Sequence, residues 1–190
     1  MKILRALVLC VLALFSASGF AAQFFLESNA FYYSDGVKVS ETTTQTKMLM
    51  DFALGFTVDK KNRWQIGWNY SLHSSSTTGG SEETYSSNEM GPKFGYYFDK
   101  NRRWGTSFAY NLIVNGTYKA SAAAAEQTLR GTSMRFDIGY GTEVTESFRM
   151  GARLVYNLAT YAEEIDNTTL TKVSYSRTFI YPALHLSYLF

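Results

Sequence analysis

The chain has 190 residues, of which 46% are apolar, 16% aromatic and 18% charged, with one cysteine and two prolines. This length fits a single domain, and so many aromatic residues with so few charges exclude an intrinsically disordered chain. The formal net charge of +2 gives no basis for predicting a nucleic-acid-binding protein.

The first 21 residues are predicted to form a cleaved secretory signal peptide. After a positively charged start, an apolar stretch at 6–15 is too short to span a bilayer as a helix. Small residues favour cleavage after Ala21, while cleavage one residue later or two residues earlier stays open. The mature chain, 22–190, then has equal numbers of acidic and basic residues and lacks Cys10, so we expect no disulfide and no thiolate metal site.

From residue 25 onward, apolar and polar residues alternate in eight segments. Within these segments nearly every even-numbered position is apolar, and none of them carries a charge. A period of two is typical of a β-strand whose two faces meet different surroundings. The eight predicted strands are centred on 26–32, 48–58, 64–72, 90–98, 104–114, 134–140, 148–158 and 180–190.

Short and long links alternate between these segments. Two of the short links, 59–64 and 99–104, have closely similar sequences, whereas the long links are rich in Ser, Thr and Gly. Tight turns at one end and longer loops at the other predict an antiparallel up-and-down sheet. Closure into a barrel would satisfy the backbone groups that an open sheet leaves unpaired. The predicted fold class is therefore all-β, an eight-stranded antiparallel barrel. The long links are 34–45, 74–88, 115–132 and 159–178, and we expect the strands to extend into their ends.

The apolar face could point inward, as in a soluble lipocalin-like barrel, or outward to lipid, as in a transmembrane barrel. The opposite face is crowded with small residues such as Gly55, Gly95 and Ala109, which suit a narrow interior. Aromatic residues gather near the strand ends of the apolar face, as in the two aromatic girdles of membrane barrels. Both features favour a transmembrane barrel. The predicted girdle residues are Tyr32, Phe56, Trp64, Tyr70, Phe98, Trp104, Tyr110, Tyr140, Phe148 and Tyr156.

This pattern resembles the small eight-stranded outer-membrane barrels of Gram-negative bacteria, of the OmpA-transmembrane, OmpX and opacity-protein type. The most specific part is the last strand, in which Leu184, Leu186, Tyr188 and Phe190 follow at period two. The resemblance implies that these four residues are the signal read by the barrel-assembly machinery. It also implies an outer-membrane location, with outer-membrane lipids and lipopolysaccharide as partners. A closed barrel has no sheet edge to pair through, so we expect a monomer.

The inward face carries charges of both signs, and a buried charge is very unfavourable unless it is paired. We therefore expect a salt-bridge network that fills the lumen, because eight strands enclose an interior just wide enough for side chains. A narrow ion path, in which Arg135, Arg149 and Arg153 favour anions, stays open as an alternative. The predicted network residues are Glu27, Lys47, Asp51, Glu89, Lys93, Arg135, Asp137, Arg149 and Arg153.

One pair of residues raises the possibility of catalysis. Some eight-stranded barrels modify the acyl chains of lipid A, and the deacylases among them use a His-x-Ser pair that His185 and Ser187 resemble. Alternation places both side chains in the lumen near the periplasmic end, far from the outer leaflet that holds lipid A. His73 could meet Glu89 or Asp51 nearer the loops. No zinc or nucleotide motif appears, so we expect no enzymatic activity, metal or cofactor, and favour a structural or surface-interaction role through four outer loops.

Overall fold

The structure is a computed structural model that describes residues 22–38, 42–79, 82–166 and 169–190. The predicted signal peptide, with Cys10, lies outside the described residues. Eight antiparallel strands follow one another around a closed barrel in chain order, which confirms the predicted all-β, eight-stranded fold. The strands are β1 (Phe24–Lys38), β2 (Thr42–Thr57), β3 (Trp64–Thr78), β4 (Glu83–Tyr97), β5 (Trp104–Lys119), β6 (Gln127–Glu143), β7 (Phe148–Asp166) and β8 (Thr169–Leu189).

The strands run much further than the alternating segments, because most of the predicted long loops are two-stranded extensions of the barrel. β7 and β8 stay paired as far as Asp166↔Thr169, and β3 and β4 as far as Thr77↔Glu83. Alternation fades where both faces of a strand meet water, while Thr remains favourable in strands. The strands therefore extend into the predicted long links, as expected, but well beyond their ends. Over the described ranges, no helix is long and apolar enough to cross a membrane.

The even-numbered side chains of the alternating segments form an apolar belt on the outside of the barrel. Leu54, Phe94 and Leu154 are each about half exposed, at 53%, 52% and 54%. Their odd-numbered neighbours on the same strands are buried in the lumen. A continuous apolar surface of this extent is unusual for a protein surrounded by water.

A β-bulge in β5 reverses the alternation toward the long-hairpin end of that strand. The registers of β5 with both neighbouring strands shift between Ala109 and Val114. Leu112 and Ile113 are both exposed, at 54% and 47%, whereas Val114, which the even-position pattern predicts to face outward, is 2% exposed in the lumen. One extra residue in a strand moves every later side chain to the opposite face, so the predicted parity is wrong at Val114, the last residue of that segment.

Pro182 ends the pairing of β1 with β8. The Phe190 N–H donates to the Phe24 carbonyl oxygen at 2.9 Å, so the even-numbered residues of β8 turn their N–H groups toward β1. Pro182 has no N–H group to give on that side. The pairing accordingly runs from Phe25 only as far as Ala30↔Leu184, one even position before Pro182. Beyond this point β1 is paired only with β2, and β8 only with β7.

Pro92 marks a similar interruption between β4 and β5. The Phe98 N–H donates to the Trp104 carbonyl oxygen at 2.9 Å, so even-numbered residues of β4 face β5, where the register shifts next to Pro92. β5 also approaches Gly91 so closely that a Cβ atom there would lie 2.0 Å from the Tyr110 carbonyl oxygen. Both prolines therefore stand where a strand loses a regular partner, as expected for a residue that cannot donate to a sheet.

The two similar short turns are each held by an aspartate. Asp59 Oδ1 accepts hydrogen bonds from the N–H groups of Arg63 and Trp64, at 2.6 and 2.8 Å. Asp99 Oδ1 accepts the two corresponding bonds of the second turn, at 2.7 and 3.0 Å. A short side chain that satisfies two backbone donors fixes the turn locally, which accounts for the repeated sequence.

Arg102 has a backbone conformation that suits asparagine better. Its φ of 53° equals that of Asn62 in the first turn, and this left-handed region is unfavourable for most residues and least so for Asn and Gly. Burial and the neighbouring Arg149 also lower the pKa of the Arg102 guanidinium. We expect Arg102→Asn to raise the free energy of unfolding by about 1 kcal/mol, measured by urea titration in lipid vesicles.

The reciprocal change in the first turn serves as the control. Asn62→Arg should lower the free energy of unfolding, because Asn62 also accepts a hydrogen bond from the Thr57 hydroxyl at 2.7 Å. If both variants were as stable as the parent chain, backbone strain at Arg102 would have no energetic weight.

Candidate functional site in the barrel lumen

The end of the lumen near the short turns is held by a buried ion pair. Lys93 on β4 pairs with Glu27 on β1, and both side chains are almost fully buried. Gln65 Nε2 donates to Glu27 at 2.9 Å, and the Tyr97 hydroxyl donates to it at 3.3 Å. The carboxylate is therefore both neutralised and hydrogen-bonded, as a buried charge requires.

The middle of the lumen contains a second group of charges from β2, β6 and β7. Arg135 lies between two carboxylates, 2.7 Å from Asp137 and 3.0 Å from Asp51. Arg153 also pairs with Asp137, and the Tyr181 hydroxyl donates to Asp51 at 3.0 Å. Two guanidinium groups thus meet two carboxylates, so the charges of this group balance one another.

Glu89 is the centre of a third group, nearer the long hairpins. His73 Nδ1 lies 3.1 Å from Glu89, and His73 Nε2 lies 3.7 Å from Asp51. Ser133 and Asn157 donate hydrogen bonds to Glu89 at 2.6 and 3.1 Å. His73 therefore meets both carboxylates that the sequence offered as its partners, and it connects the second group to the third.

An aromatic layer closes the lumen above Glu89. Tyr85, four residues closer to the hairpin than Glu89 on β4, hydrogen-bonds to the hydroxyl of Tyr161. Its ring lies 5.8 Å from that of Phe179, and Leu49 packs in the same cluster. Sequence reasoning missed this layer because it treated the odd-numbered positions as one polar set. The signal that marks it is the apolar character of those odd positions outside the charged stretch.

Buried side chains occupy the middle of the barrel. The most deeply buried charged and polar residues are each 0% exposed: Arg135, Asp137, Glu89 and Asn157. The aromatic layer lies between them and the long-hairpin end of the lumen, which we call the outer mouth. Larger cavities, of about 360 and 330 Å³, are found among residues at the long-hairpin end. The arrangement is that of a filled interior, which is the usual state of an eight-stranded barrel.

Two predicted network residues lie at the ends of the lumen. Arg149 binds the short turn, because it donates to main-chain oxygens of Asn101 and Arg102 and to Glu143, each at 2.7 Å. Lys47 is exposed at the outer mouth, and no ion pair of the described residues includes it. The prediction that Lys47 belongs to the charge network is therefore wrong. The aromatic layer, which contains Leu49, separates Lys47 from the buried charges.

His185 and Ser187 are both buried in the lumen, but the geometry does not show them as a catalytic pair. His185 Nδ1 lies 2.9 Å from Asn29 Oδ1, and His185 Nε2 lies 3.3 Å from Arg153. The cavity beside them is about 10 Å³, which is about the size of one water molecule. Among the described residues, no group of three or more His, Cys, Asp or Glu side chains is placed to hold a metal ion.

The outer mouth contains a cation packed on aromatic rings. The Arg177 guanidinium lies 3.8 Å from the centre of the Tyr85 ring and 5.3 Å from that of Phe179. It donates to the Ser75 hydroxyl at 2.9 Å and lies 3.9 Å from Glu83. The adjoining cavity of about 360 Å³ is open at the top of the barrel, so this surface is accessible from the long-hairpin side.

The structure places the predicted girdle and the predicted assembly signal on the outer surface. Tyr32, at 68%, and Phe190, at 62%, are among the most exposed aromatic residues. Ring contacts connect neighbouring strands, for example Trp104 with Tyr140 at 5.2 Å. The other girdle positions are also at least partly exposed, at Phe56, Trp64, Tyr70, Phe98, Tyr110, Phe148 and Tyr156, as are Leu184, Leu186 and Tyr188 of the last strand.

The chain matches no protein-family model and no curated protein sequence. Among solved structures, Neisserial surface protein A (NspA) matches with a TM-score of 0.52 at 13% identity, covering 90% of this chain and 100% of that one. The beta domain of the Bordetella autotransporter BrkA matches with a TM-score of 0.44 at 10% identity, covering 90% and 99%. The translocator domain of the autotransporter NalP from Neisseria meningitidis matches with 0.42 at 13% identity, covering 97% and 68%.

At such low identity, the likeness to NspA is one of fold. The predicted resemblance to small outer-membrane barrels of Gram-negative bacteria is confirmed at that level. A shared fold does not define a function, which depends on the residues of this chain.

Proposed function

We propose that the chain is an integral outer-membrane β-barrel with a side-chain-filled lumen and a structural or surface-interaction role. The observation that carries the proposal is the contrast between the two faces of one barrel. Uncharged apolar side chains cover the outside, whereas ion pairs such as Arg135 with Asp137 fill the inside. Lipid favours this arrangement, because a Lys or Arg facing the middle of a bilayer costs about 2–4 kcal/mol.

The two ends of the barrel suggest its orientation. In bacterial membrane barrels, the short turns face the periplasm and the longer connections face the outside. The hairpins that extend β1–β2, β3–β4, β5–β6 and β7–β8 would then project from the cell surface. Surface connections are where recognition usually takes place, and the name of Neisserial surface protein A agrees with such a location. The barrel itself would be a monomer that requires no cofactor.

Biogenesis and surroundings follow from the same proposal. The signal peptide at 1–21 would direct the chain across the inner membrane. Leu184, Leu186, Tyr188 and Phe190, all facing outward at the β1–β8 closure, would be read by the barrel-assembly machinery. Outer-membrane lipids and lipopolysaccharide would then cover the apolar belt between the two aromatic girdles.

The filled lumen predicts that the barrel does not conduct ions like a porin. Arg135 and Asp137 are fully buried and block the middle of the interior. We expect no steady ohmic current when the folded barrel is inserted into a planar lipid bilayer. A reproducible steady conductance would instead favour the narrow ion path, and anion selectivity would point to Arg135, Arg149 and Arg153.

The proposal of a non-catalytic role is tested on lipid A. Mass spectra of lipid A are compared between cells that express the chain and cells that do not. We expect identical acyl-chain patterns, because His185 is directed toward Asn29 and Arg153. A gained or lost acyl chain would contradict the proposal and make the chain a lipid A-modifying enzyme. A His185→Asn variant with a Ser187→Ala variant would then identify the residues responsible.

A further inference from the structure

The barrel wall has a lateral cleft between β1 and β8 on the long-hairpin side. Pairing of these strands ends at Ala30↔Leu184, although both strands continue well beyond this point. A cavity of about 330 Å³ lies here, lined by residues of β1, β2 and β8. Cavities that hold small organic ligands begin at about this volume.

The lining of the cavity places it against the lumen side of the β1–β8 seam, because its β1 and β2 residues are all odd-numbered. Phe179 and Tyr181 are inward-facing residues of β8, whereas Ile180 between them faces outward and is 67% exposed. All three line the cavity. The cavity thus follows consecutive residues of β8 just beyond the last β1–β8 pair, Ala30↔Leu184.

The position of the cleft relates it to the membrane. Tyr32, a predicted girdle residue, is exposed and lies on β1 two residues beyond Ala30, where the pairing with β8 has ended. Aromatic girdles lie at the level of the lipid headgroups. Under the proposed function, the cleft therefore opens sideways at the boundary between acyl chains and headgroups, on the cell-surface side.

The two ends of the cleft differ in chemistry. The inner end is apolar, with Phe31, Leu49 and Tyr181, and the rings of Phe31 and Tyr181 are 5.7 Å apart. At the outer end stands Lys47, exposed, and among the described residues that line the cavity it alone carries a charge. Asp35, further along β1, does not line the cavity. Its carboxylate accepts a hydrogen bond from the hydroxyl of Tyr33, which does, at 3.0 Å.

Backbone groups that face the seam add polar capacity at the same place. The Phe190-to-Phe24 hydrogen bond shows that even-numbered residues of both strands turn their backbone groups toward the seam. By continued alternation, the N–H groups of Tyr32 and Ile180 point into the open part of the seam. Backbone groups in a membrane need hydrogen-bond partners, and phosphate and glycerol oxygens of a lipid are suitable acceptors.

From these features we propose that the β1–β8 cleft binds one phosphate-bearing, anionic membrane lipid. An acyl chain lies against Phe31 and Leu49, and the phosphate lies near Lys47 and the backbone N–H groups that face the seam. The inference rests on the proposed function, because it needs the cleft to be in a membrane. Pro182 is the residue that keeps the cleft open, since it withholds the N–H group that would extend the β1–β8 pairing.

The test measures lipid retained by the folded barrel in a neutral maltoside detergent. Phosphatidylglycerol is titrated in, phosphatidylcholine of the same chain length serves as the uncharged-headgroup comparison, and bound lipids are counted by native mass spectrometry. We expect one phosphatidylglycerol per barrel and clearly weaker retention of phosphatidylcholine. Lys47→Gln should weaken phosphatidylglycerol binding about fivefold, because one Lys near a membrane surface contributes about that factor. Lys119→Gln, on the opposite part of the barrel, should leave it unchanged.

Pro182→Val tests the geometry of the seam. The new N–H group allows the pairing to extend, so we expect phosphatidylglycerol retention to fall by a similar or larger factor. Pro92→Val, the same substitution at the other proline, is the matched control and should retain the lipid. Equal retention of both lipids by all variants would overturn the proposal. A dimer that Pro182→Val abolishes would also overturn it, because the open edge would then bind a second copy of the chain.

The same samples are run on gels before and after boiling, which separates the two possible failures. A barrel that keeps its heat-dependent mobility but binds no phosphatidylglycerol contradicts only the lipid site. A chain without heat-dependent mobility contradicts the proposed function itself.

Discussion

Replacing Asp137 by asparagine is expected to lower the free energy of unfolding by about 3–5 kcal/mol. The Asp137 carboxylate is fully buried and meets Arg135, Arg153 and the Ser107 hydroxyl. Asparagine keeps the shape of the side chain but removes its charge, so the Arg153 guanidinium is left without its carboxylate inside the barrel. Urea unfolding of the barrel in phospholipid vesicles, followed by tryptophan fluorescence, measures the effect.

An exposed ion pair in the same chain provides the control. Arg177 lies 3.9 Å from Glu83, and both side chains are partly exposed. Glu83→Gln should therefore change the free energy of unfolding by no more than about 1 kcal/mol. If Asp137→Asn were as mild as Glu83→Gln, the lumen would contain enough water to solvate its charges and could not be called filled.

Placing an arginine on the outer belt is expected to have the second large effect. Leu154 faces outward on β7 below the girdle residue Tyr156, and it is 54% exposed. Leu154→Arg should lower the free energy of unfolding in lipid vesicles by about 2–4 kcal/mol, because the guanidinium would face the hydrocarbon interior.

Thr160→Arg is the matched control on the same face of the same strand. Thr160 is exposed and lies beyond Tyr156 toward the long hairpin, so its replacement should cost about 0–1 kcal/mol. Equal effects of the two substitutions would mean that no boundary between lipid and water lies between these positions, and the membrane belt would be misassigned.

The strands could be predicted from the sequence because each face of the barrel has one constant requirement. Residues such as Phe94 and Leu154 meet one environment, and Lys93 and Arg153 the other, so the period of two is nearly unbroken there. The ends of the strands could not be predicted in the same way. In 74–78 both faces are open to water, and a row of Ser and Thr serves equally well in a loop or in a strand.

The bulge in β5 could not be predicted from the sequence for a different reason. The run Leu112-Ile113-Val114 is apolar throughout, so it is compatible with either face turning inward at any of its positions. The extra residue becomes visible only when the registers on both sides of β5 are known.

The candidate site could be predicted in composition but not in arrangement. Alternation correctly indicates that Asp51 and Arg135 share the lumen, but it does not indicate that they meet at 3.0 Å, since β2 and β6 are not neighbours in the barrel. Contacts across a lumen depend on strand tilt and stagger. Lys47 shares the parity of the network residues, yet its height above the aromatic layer removes it from the network.

The effect of Pro182 on the sheet could not be predicted from the sequence either. The residue is evident in the sequence, but its effect depends on which neighbouring strand its missing N–H group would face. That direction follows from the Phe190-to-Phe24 hydrogen bond. The place where the β1–β8 pairing ends therefore depends on one residue in one register, and no pattern along the chain indicates it.

Whether the folded barrel is in the outer membrane can be measured directly. Cells that express the chain are separated into soluble periplasmic, inner-membrane and outer-membrane fractions, and each fraction is run on a gel before and after boiling. We expect the chain in the outer-membrane fraction, with a mobility that changes on boiling, because a closed barrel in detergent unfolds only when heated. Recovery in the soluble periplasmic fraction with unchanged mobility would contradict the membrane barrel and favour a soluble lipocalin-like barrel instead.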